Sequence, residues 1–329
     1  MKMPLISYFV FSFFSILCNY LLINDLRGQN NSGTWIQKAN MPTPRSHACS
    51  IVYGNEIYVI GGNNSGSVEV YSPQTNTWKI KKTFPGQVLS WDGIGLKGDK
   101  IYTVIGIGKK DTEYYIIAAY SPKNDNWEKI DSTKYAINDP AVTVLGNCIY
   151  FISGFYVNRG NTVDYRNVDT VKEYNIESKK WSFKTKIPTK RHAAATFALG
   201  SQIFVFGGIS DCFCNPPSSS IEVFDIKLNK WTNKSNMIQA MAYSGNSCLG
   251  EYIYFVNQDL KQKIAVYNYK SDKWVLQSSK PYDARYFSQI TYNNKIYLFG
   301  GIKYAKSPDN ILNTVYEFTP TTSDFEIVR

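Results

Sequence analysis

Arg45 stands nine residues before Gly54, and Arg191 stands nine residues before Gly200. A guanidinium is a rigid planar fork of N–H donors whose geometry matches a carboxylate. Two arginines at one repeated offset are therefore candidates for holding an acidic group, and they suit structural hydrogen bonds between repeated units equally well. Short segments at comparable places hold His47, Trp91 with Asp92, Asp139, His192, Tyr243, and Arg285 with Tyr286. A carboxylate close to an arginine can run general acid–base chemistry on a small acidic substrate. Other chemistries are poorly served. His47 and His192 are the chain's two histidines and miss matching register by one residue, which in a strand sends side chains to opposite faces. A shared metal is not expected, and neither is a cofactor. No serine sits in a G-x-S-x-G elbow. Cys212 and Cys214 precede Pro216-Pro217 in a loop and read as a loop disulfide or free thiols, since no further ligands stand at metal-site spacing.

The elements that must position these residues repeat. Ile57-Tyr58-Val59-Ile60-Gly61-Gly62 returns as IYTVIG at 101–106, IYFISG at 149–154, IFVFGG at 203–208, IYFVNQ at 253–258 and IYLFGG at 296–301. Each copy follows a turn residue (Gly54, Gly98, Gly146, Gly200, Gly250 or Asn293). Each is followed by an aromatic residue (Tyr71, Tyr120, Tyr174, Phe224, Tyr267 or Phe318) and, seven residues later, by Trp78, Trp127, Trp181, Trp231, Trp274 or Phe325. In the first copy Ala48–Tyr53 reads as strand a, Gly54-Asn55 as a two-residue hairpin, Glu56–Ile60 as strand b, Ser67–Tyr71 as strand c and Thr77–Lys81 as strand d. No segment has a convincing helical period. Four-stranded units of this period stacked side by side form a β-propeller.

The double glycine, the Tyr and the Trp resemble the kelch-repeat family over residues 35–329, most specifically in repeats one and four. The resemblance implies an all-β fold, a six-bladed propeller of four-stranded kelch-type blades. Repeat two departs from it with Gly106-Ile107-Gly108, and repeat five with Val256-Asn257. A seventh candidate d strand surrounds Trp35. Either it closes the sixth blade from the N-terminus, the arrangement favoured here, or Asp324–Arg329 does so.

Strand parity puts the a–b and c–d hairpins on one face of the disc and the b–c and d–a connections on the other. The b–c segments vary, the long ones being Phe155–Thr170, Ile209–Ser219 and Ile302–Asn313. Variable loops on a rigid scaffold are where binding usually resides. The expected ligand-binding residues on this face are Arg45, His47, Trp91, Asp92, Asp139, Arg159, Arg191, His192, Tyr243, Arg285 and Tyr286, with Tyr156, Tyr165 and Arg166 as further contacts. The expected function is a binding or scaffold module for a protein segment or a glycan. The alternative, which the resemblance to exported six-bladed kelch proteins of the sialic-acid mutarotase kind implies, is a carbohydrate isomerase or epimerase with an Arg/carboxylate axial pocket.

Net charge is +10, but the lysines are spread over every repeat with no dense basic block, so nucleic acid is not an expected partner. Residues 4–23 form an apolar run after Lys2. Residues 1–27 are therefore read as an export signal or, alternatively, an uncleaved membrane anchor, with 28–34 as a linker. A secreted, periplasmic or cell-surface monomer is expected, touching a membrane only through the N-terminal segment.

Overall fold

A computed structural model of the chain describes residues 33–63, 65–86, 88, 90–107, 114–133, 137–159, 163–210, 215–243, 245–256, 263–277, 284–303, 310–321 and 326–327. The apolar run at 4–23 and the Cys212–Cys214 loop lie outside these residues. Among the described residues all regular structure is strand, and no helix is long and apolar enough to cross a membrane.

The chain opens with β1 (Thr34–Lys38). Blade one is β2 (Cys49–Tyr53), β3 (Glu56–Ile60), β4 (Val68–Ser72) and β5 (Thr77–Lys81). Blade two is β6 (Ser90–Lys97), β7 (Lys100–Ile107), β8 (Tyr114–Ser121) and β9 (Asn126–Ser132). Blade three is β10 (Ala141–Leu145), β11 (Cys148–Ile152), β14 (Val171–Asn175) and β15 (Lys180–Lys184). Its b–c connection builds a separate antiparallel ribbon of β12 (Phe155–Arg159) and β13 (Val163–Asn167). Blade four is β16 (Ala195–Leu199), β17 (Gln202–Phe206), β18 (Ile221–Asp225) and β19 (Lys230–Asn233). Blade five is β20 (Ser247–Leu249), β21 (Tyr252–Phe255), β22 (Ile264–Asn268) and β23 (Lys273–Gln277). Blade six comprises β24 (Ser288–Tyr292), β25 (Lys295–Phe299) and β26 (Val315–Thr319) together with β1.

The recurring residues have identifiable tasks. Tyr71 lies directly opposite Trp78 on the β4–β5 ladder with ring centroids 5.0 Å apart. The same pairing recurs at Tyr120–Trp127, Tyr174–Trp181, Phe224–Trp231 and Tyr267–Trp274. The indole also ties its blade to an earlier connection: Trp78 Nε1 donates to Ala39 O at 2.9 Å, Trp127 to Lys82 O and Trp231 to Thr185 O. The tyrosine hydroxyl donates to the turn residue five positions on, as Tyr71 does to Asn76 Oδ1 at 2.7 Å and Tyr267 to Asp272 Oδ1 at 2.6 Å. Those turn residues adopt positive φ (55° at Asn76, 56° at Asp272), which Asn and Asp tolerate. Gly62, at φ +92°, meets a different demand. A Cβ there would lie 2.5 Å from Ser46 O, so the end of strand b can press against the d–a connection only without a side chain.

Among the described residues, blades cohere through six apolar clusters, each shared by two neighbours. One joins blades one and two through Tyr58, Val70, Ile105 and Tyr120, and another joins blades six and one through Phe299, Val315, Ile57 and Tyr71. Blades two to six are linked in the same way, so the ring is continuous. Burying one such large side chain contributes about 1.5–3 kcal/mol.

Of the two closures the sequence left open, the structure has the N-terminal one. β1 pairs antiparallel with β26, Trp35 opposite Phe318, and their rings stack at 4.3 Å. The spacing that suggested Phe325 as the sixth d-strand aromatic is corrected: Trp35 fills that place, and the side chain of Phe325 lies outside the described residues. The chain's end takes another edge, where β27 (Glu326–Ile327) pairs with β23 and adds a fifth strand to blade five. Cys49, Cys148 and Cys248 lie in strands outside any disulfide, half-buried and packed against the clusters between blades.

Candidate functional site

The d–a connections meet around the axis, and five of them share one local conformation. His47, Asp139, Ala193, Tyr243 and Tyr286 have φ of 55°, 45°, 54°, 52° and 56°. Left-handed backbone costs a non-glycine residue on the order of 1–3 kcal/mol and persists only where the surroundings enforce it. Here the enforcement comes from neighbouring blades. His47 N donates to Tyr286 O at 2.8 Å, Ala193 N to Asp139 O at 2.9 Å and Tyr243 N to Ala193 O at 2.9 Å. All five residues line an axial pocket of about 480 Å³.

Blade two reaches the same pocket by another device. The β6–β7 ladder pairs Trp91 with Ile105 and then Gly93 with Val104, so Asp92 is the extra residue of a β-bulge. A bulge re-aims a side chain that regular pleating would point elsewhere, and Asp92 lines the pocket beside Ser90.

The carboxylates of Asp92 and Asp139 and the rings of His47, Tyr243, Tyr286 and Phe287 set the character of the wall. Ser90 Oγ donates to Asp92 Oδ2 at 2.6 Å, and Tyr243 Oη donates to Asp139 Oδ2 at 2.9 Å. The His47 ring stacks on Tyr286 at 4.3 Å, and Tyr243 meets Tyr286 edge-on at 5.8 Å. Ser46 Oγ donates to Asn63 Oδ1 at 2.8 Å and lies 3.0 Å from His47 Nδ1. With the hydroxyl proton given to Asn63, Nδ1 carries its hydrogen toward Ser46 and Nε2 is left as the acceptor. Burial pushes the Asp92 carboxyl up to about 7, with Asp139 adding to the rise and the Ser90 bond opposing it. Burial also lowers the His47 pKa, partly offset by Asp139, and it raises that of the Tyr243 phenol, as Asp139 does.

The expected site residues divide. His47, Asp92, Asp139, Tyr243 and Tyr286 are brought together in the axial pocket. Arg285 is exposed and lines a smaller lobe of about 160 Å³ that shares Tyr243 and Tyr286 with the pocket. Arg45 and Arg191 are corrected. They are 2% and 0% exposed and line neither cavity. Arg191 Nη2 pairs with Glu222 Oε2 at 2.6 Å while Nη1 donates to Gly207 O at 2.8 Å, and Arg45 is held alike by Glu69 and Gly61 O. Both therefore brace the glycine corner of their own blades. His192 is corrected as well: it is buried, its Nδ1 2.9 Å from Asn167 Oδ1, edge-on to Phe155 and outside the pocket. Trp91 and Arg159 lie on β6 and β12, but their side chains are outside what the structure describes. Tyr156, Tyr165 and Arg166 stand exposed on the β12–β13 ribbon. No group of three or more His, Cys, Asp or Glu side chains suited to a metal occurs among the described residues.

Sequence reasoning missed Ser90 and the left-handed ring as a common device. The signal for the ring was present, because His47 and Ala193 both stand two residues after a matched arginine. The Arg/carboxylate pocket required by the isomerase alternative is not formed by Arg45 or Arg191.

A family model described as the Kelch motif matches residues 44–85 and 190–238, which belong to blades one and four. Kelch-like protein 26 from Danio rerio is 26% identical over 248 residues, covering 70% of this chain and 39% of that protein. Kelch-like protein terF from Aspergillus terreus is 25% identical over 227 residues, covering 63% and 48%. Alpha-scruin from Limulus polyphemus is 25% identical over 190 residues, covering 54% and 20%. The chain thus spans less than half the length of these relatives. A solved structure of YjhT superposes with a TM-score of 0.72 over 89% of this chain and 99% of that one at 13% identity, a likeness of fold.

Proposed function

We propose that this kelch-repeat β-propeller is a protein-interaction module that binds through the face bearing its b–c and d–a connections. The observation that carries the reading is the β12–β13 ribbon, where Tyr156 and Tyr165 are each 47% exposed on the face that also holds the axial pocket. Large amphipathic rings on a rigid element contribute contact area at little entropic cost, as binding anchors do. The kelch-like relatives support the same class of role. Glycan binding is a second reading, favoured by the two tyrosine rings beside the acceptor oxygens of Asp92 and Asp139. Export is part of the proposal and rests on the apolar run at 4–23.

The test compares affinity captures from the source cells and their medium. The baits are the native chain, a Tyr156→Ser/Tyr165→Ser double variant and a Leu228→Ser variant altered on the opposite face. Proteins enriched by the native chain and by Leu228→Ser but lost from the double variant are the expected result. Equal enrichment by all three, or loss confined to Leu228→Ser, refutes the assignment of the face.

A further inference from the structure

We propose that the axial pocket receives a cationic side chain, a lysine ammonium or an arginine guanidinium, presented by the bound protein segment. The inference deepens the docking reading above and rests on it. Its first support is the charge of the wall. Asp92 and Asp139 reach the pocket from two blades, and no lysine or arginine is among its described lining residues. The arginines nearest in the repeat motif, Arg45 and Arg191, are committed to Glu69 and Glu222. His47 is held toward its neutral form by burial. Each carboxylate accepts from a neutral hydroxyl, of Ser90 or Tyr243, and has no cation beside it among the pocket's described lining residues, Arg285 lining the adjoining lobe instead, so the wall is anionic although the whole chain carries +10.

The second support is independent of charge. Tyr286 stacks on His47 and makes a T-shaped contact with Tyr243, so the pocket is walled by aromatic rings as well as by carboxylates. An ammonium or guanidinium over such a face is attracted by the ring quadrupole, more strongly where water is excluded. The third support is rigidity. These rings hang on left-handed residues locked by inter-blade hydrogen bonds, so the walls are set before a ligand arrives. At about 480 Å³ the pocket has room for a long side chain, apolar stem included.

The groups facing Asp92 are Ser90, Asp139 and Cys49; those facing Asp139 are Tyr243, His47 and His192. An arriving cation favours the ionised form of Asp92, so below about pH 7 binding expels a proton from it and weakens as the pH falls. Protonation of His47 at lower pH acts in the same direction.

The test titrates the full chain, followed by NMR, with capped tripeptides Gly-X-Gly in which X is Lys, Arg, norleucine or Glu. Saturable binding of the Lys or Arg peptide is expected, at least about tenfold tighter than norleucine and weakening several-fold from pH 8 to pH 6. Asp92→Asn/Asp139→Asn should lose that tenfold preference. Tyr286→Leu, which keeps both carboxylates, should weaken the cationic peptides while leaving norleucine unchanged. Equal binding of norleucine, preference for Glu, or a Lys preference surviving in the double Asn variant overturns the inference. So does saturable binding of neutral sugars with none of the peptides. Failure of this kind alongside face-dependent protein capture would remove the cation and leave the docking reading intact. Loss of face dependence in capture would remove the docking reading itself.

Discussion

Replacing Asp92 by Asn tests the electrostatics of the pocket through stability alone. The folded-state pKa of Asp92 is raised from 3.8 to about 7. Between those values the folded chain holds a proton that the unfolded chain has released, so stability falls as the pH rises through the window and stays reduced above it. About three pH units at about 1.36 kcal/mol each set a ceiling of about 4 kcal/mol. Asp92 lines an open pocket and is half-buried, so solvent screening brings the expected cost to about 2 kcal/mol. Asn keeps the acceptor for Ser90 Oγ and cannot ionise. Urea denaturation should show Asp92→Asn more stable than the native chain by about 2 kcal/mol at pH 8. At pH 4 the two should agree within about 0.5 kcal/mol, with the gap opening steadily between. A variant equally stable or less stable at pH 8, or a gap that does not depend on pH, would refute the reasoning, because it would mean that the Asp92 charge is already compensated in the folded chain.

The remaining predictions concern the scaffold. Arg191→Met leaves Glu222 buried with Thr189 as its remaining side-chain partner among the described residues and should cost about 3–5 kcal/mol by urea denaturation. Trp35→Ala removes the ring stacked on Phe318 in the strand that closes blade six, and should cost about 3–5 kcal/mol with a lowered unfolding midpoint.

The blade pattern was legible because the physics repeats with it. A positive-φ turn, a buried strand b, a corner without Cβ and an aromatic pair across the c–d ladder each demand particular residues at fixed offsets, as Gly54, Ile57, Gly62, Tyr71 and Trp78 show. Closure was less legible. Phe325 follows Phe318 at the same seven-residue spacing as the true pairs, and only strand pairing shows that Trp35 holds the place. For the arginines the sequence left a ligand-binding and a structural reading open, although a signal for the structural one existed. Arg45 occurs with Glu69 two residues before Tyr71, and Arg191 with Glu222 two residues before Phe224, while blades five and six lack such an arginine and put Met241 and Ala284 there. A cation and an anion that appear together in the same two repeats are partners within the repeat. Asp92 was named from its segment, but the route by which it reaches the pocket was hidden. A one-residue bulge reverses the facing of a side chain and leaves no mark in composition.

The central claim is that recognition takes place on the face of the b–c and d–a connections, and site-specific photo-crosslinking tests it most directly. A benzophenone amino acid is placed in turn at Tyr156, Tyr165 and Ile311 on that face and at Leu199 and Leu228 on the other, all exposed positions. The chains are irradiated in the source cells. Discrete crosslinked protein products from the first three positions and none from the last two are predicted. Products arising equally from both faces, or from Leu199 and Leu228 alone, would contradict the account.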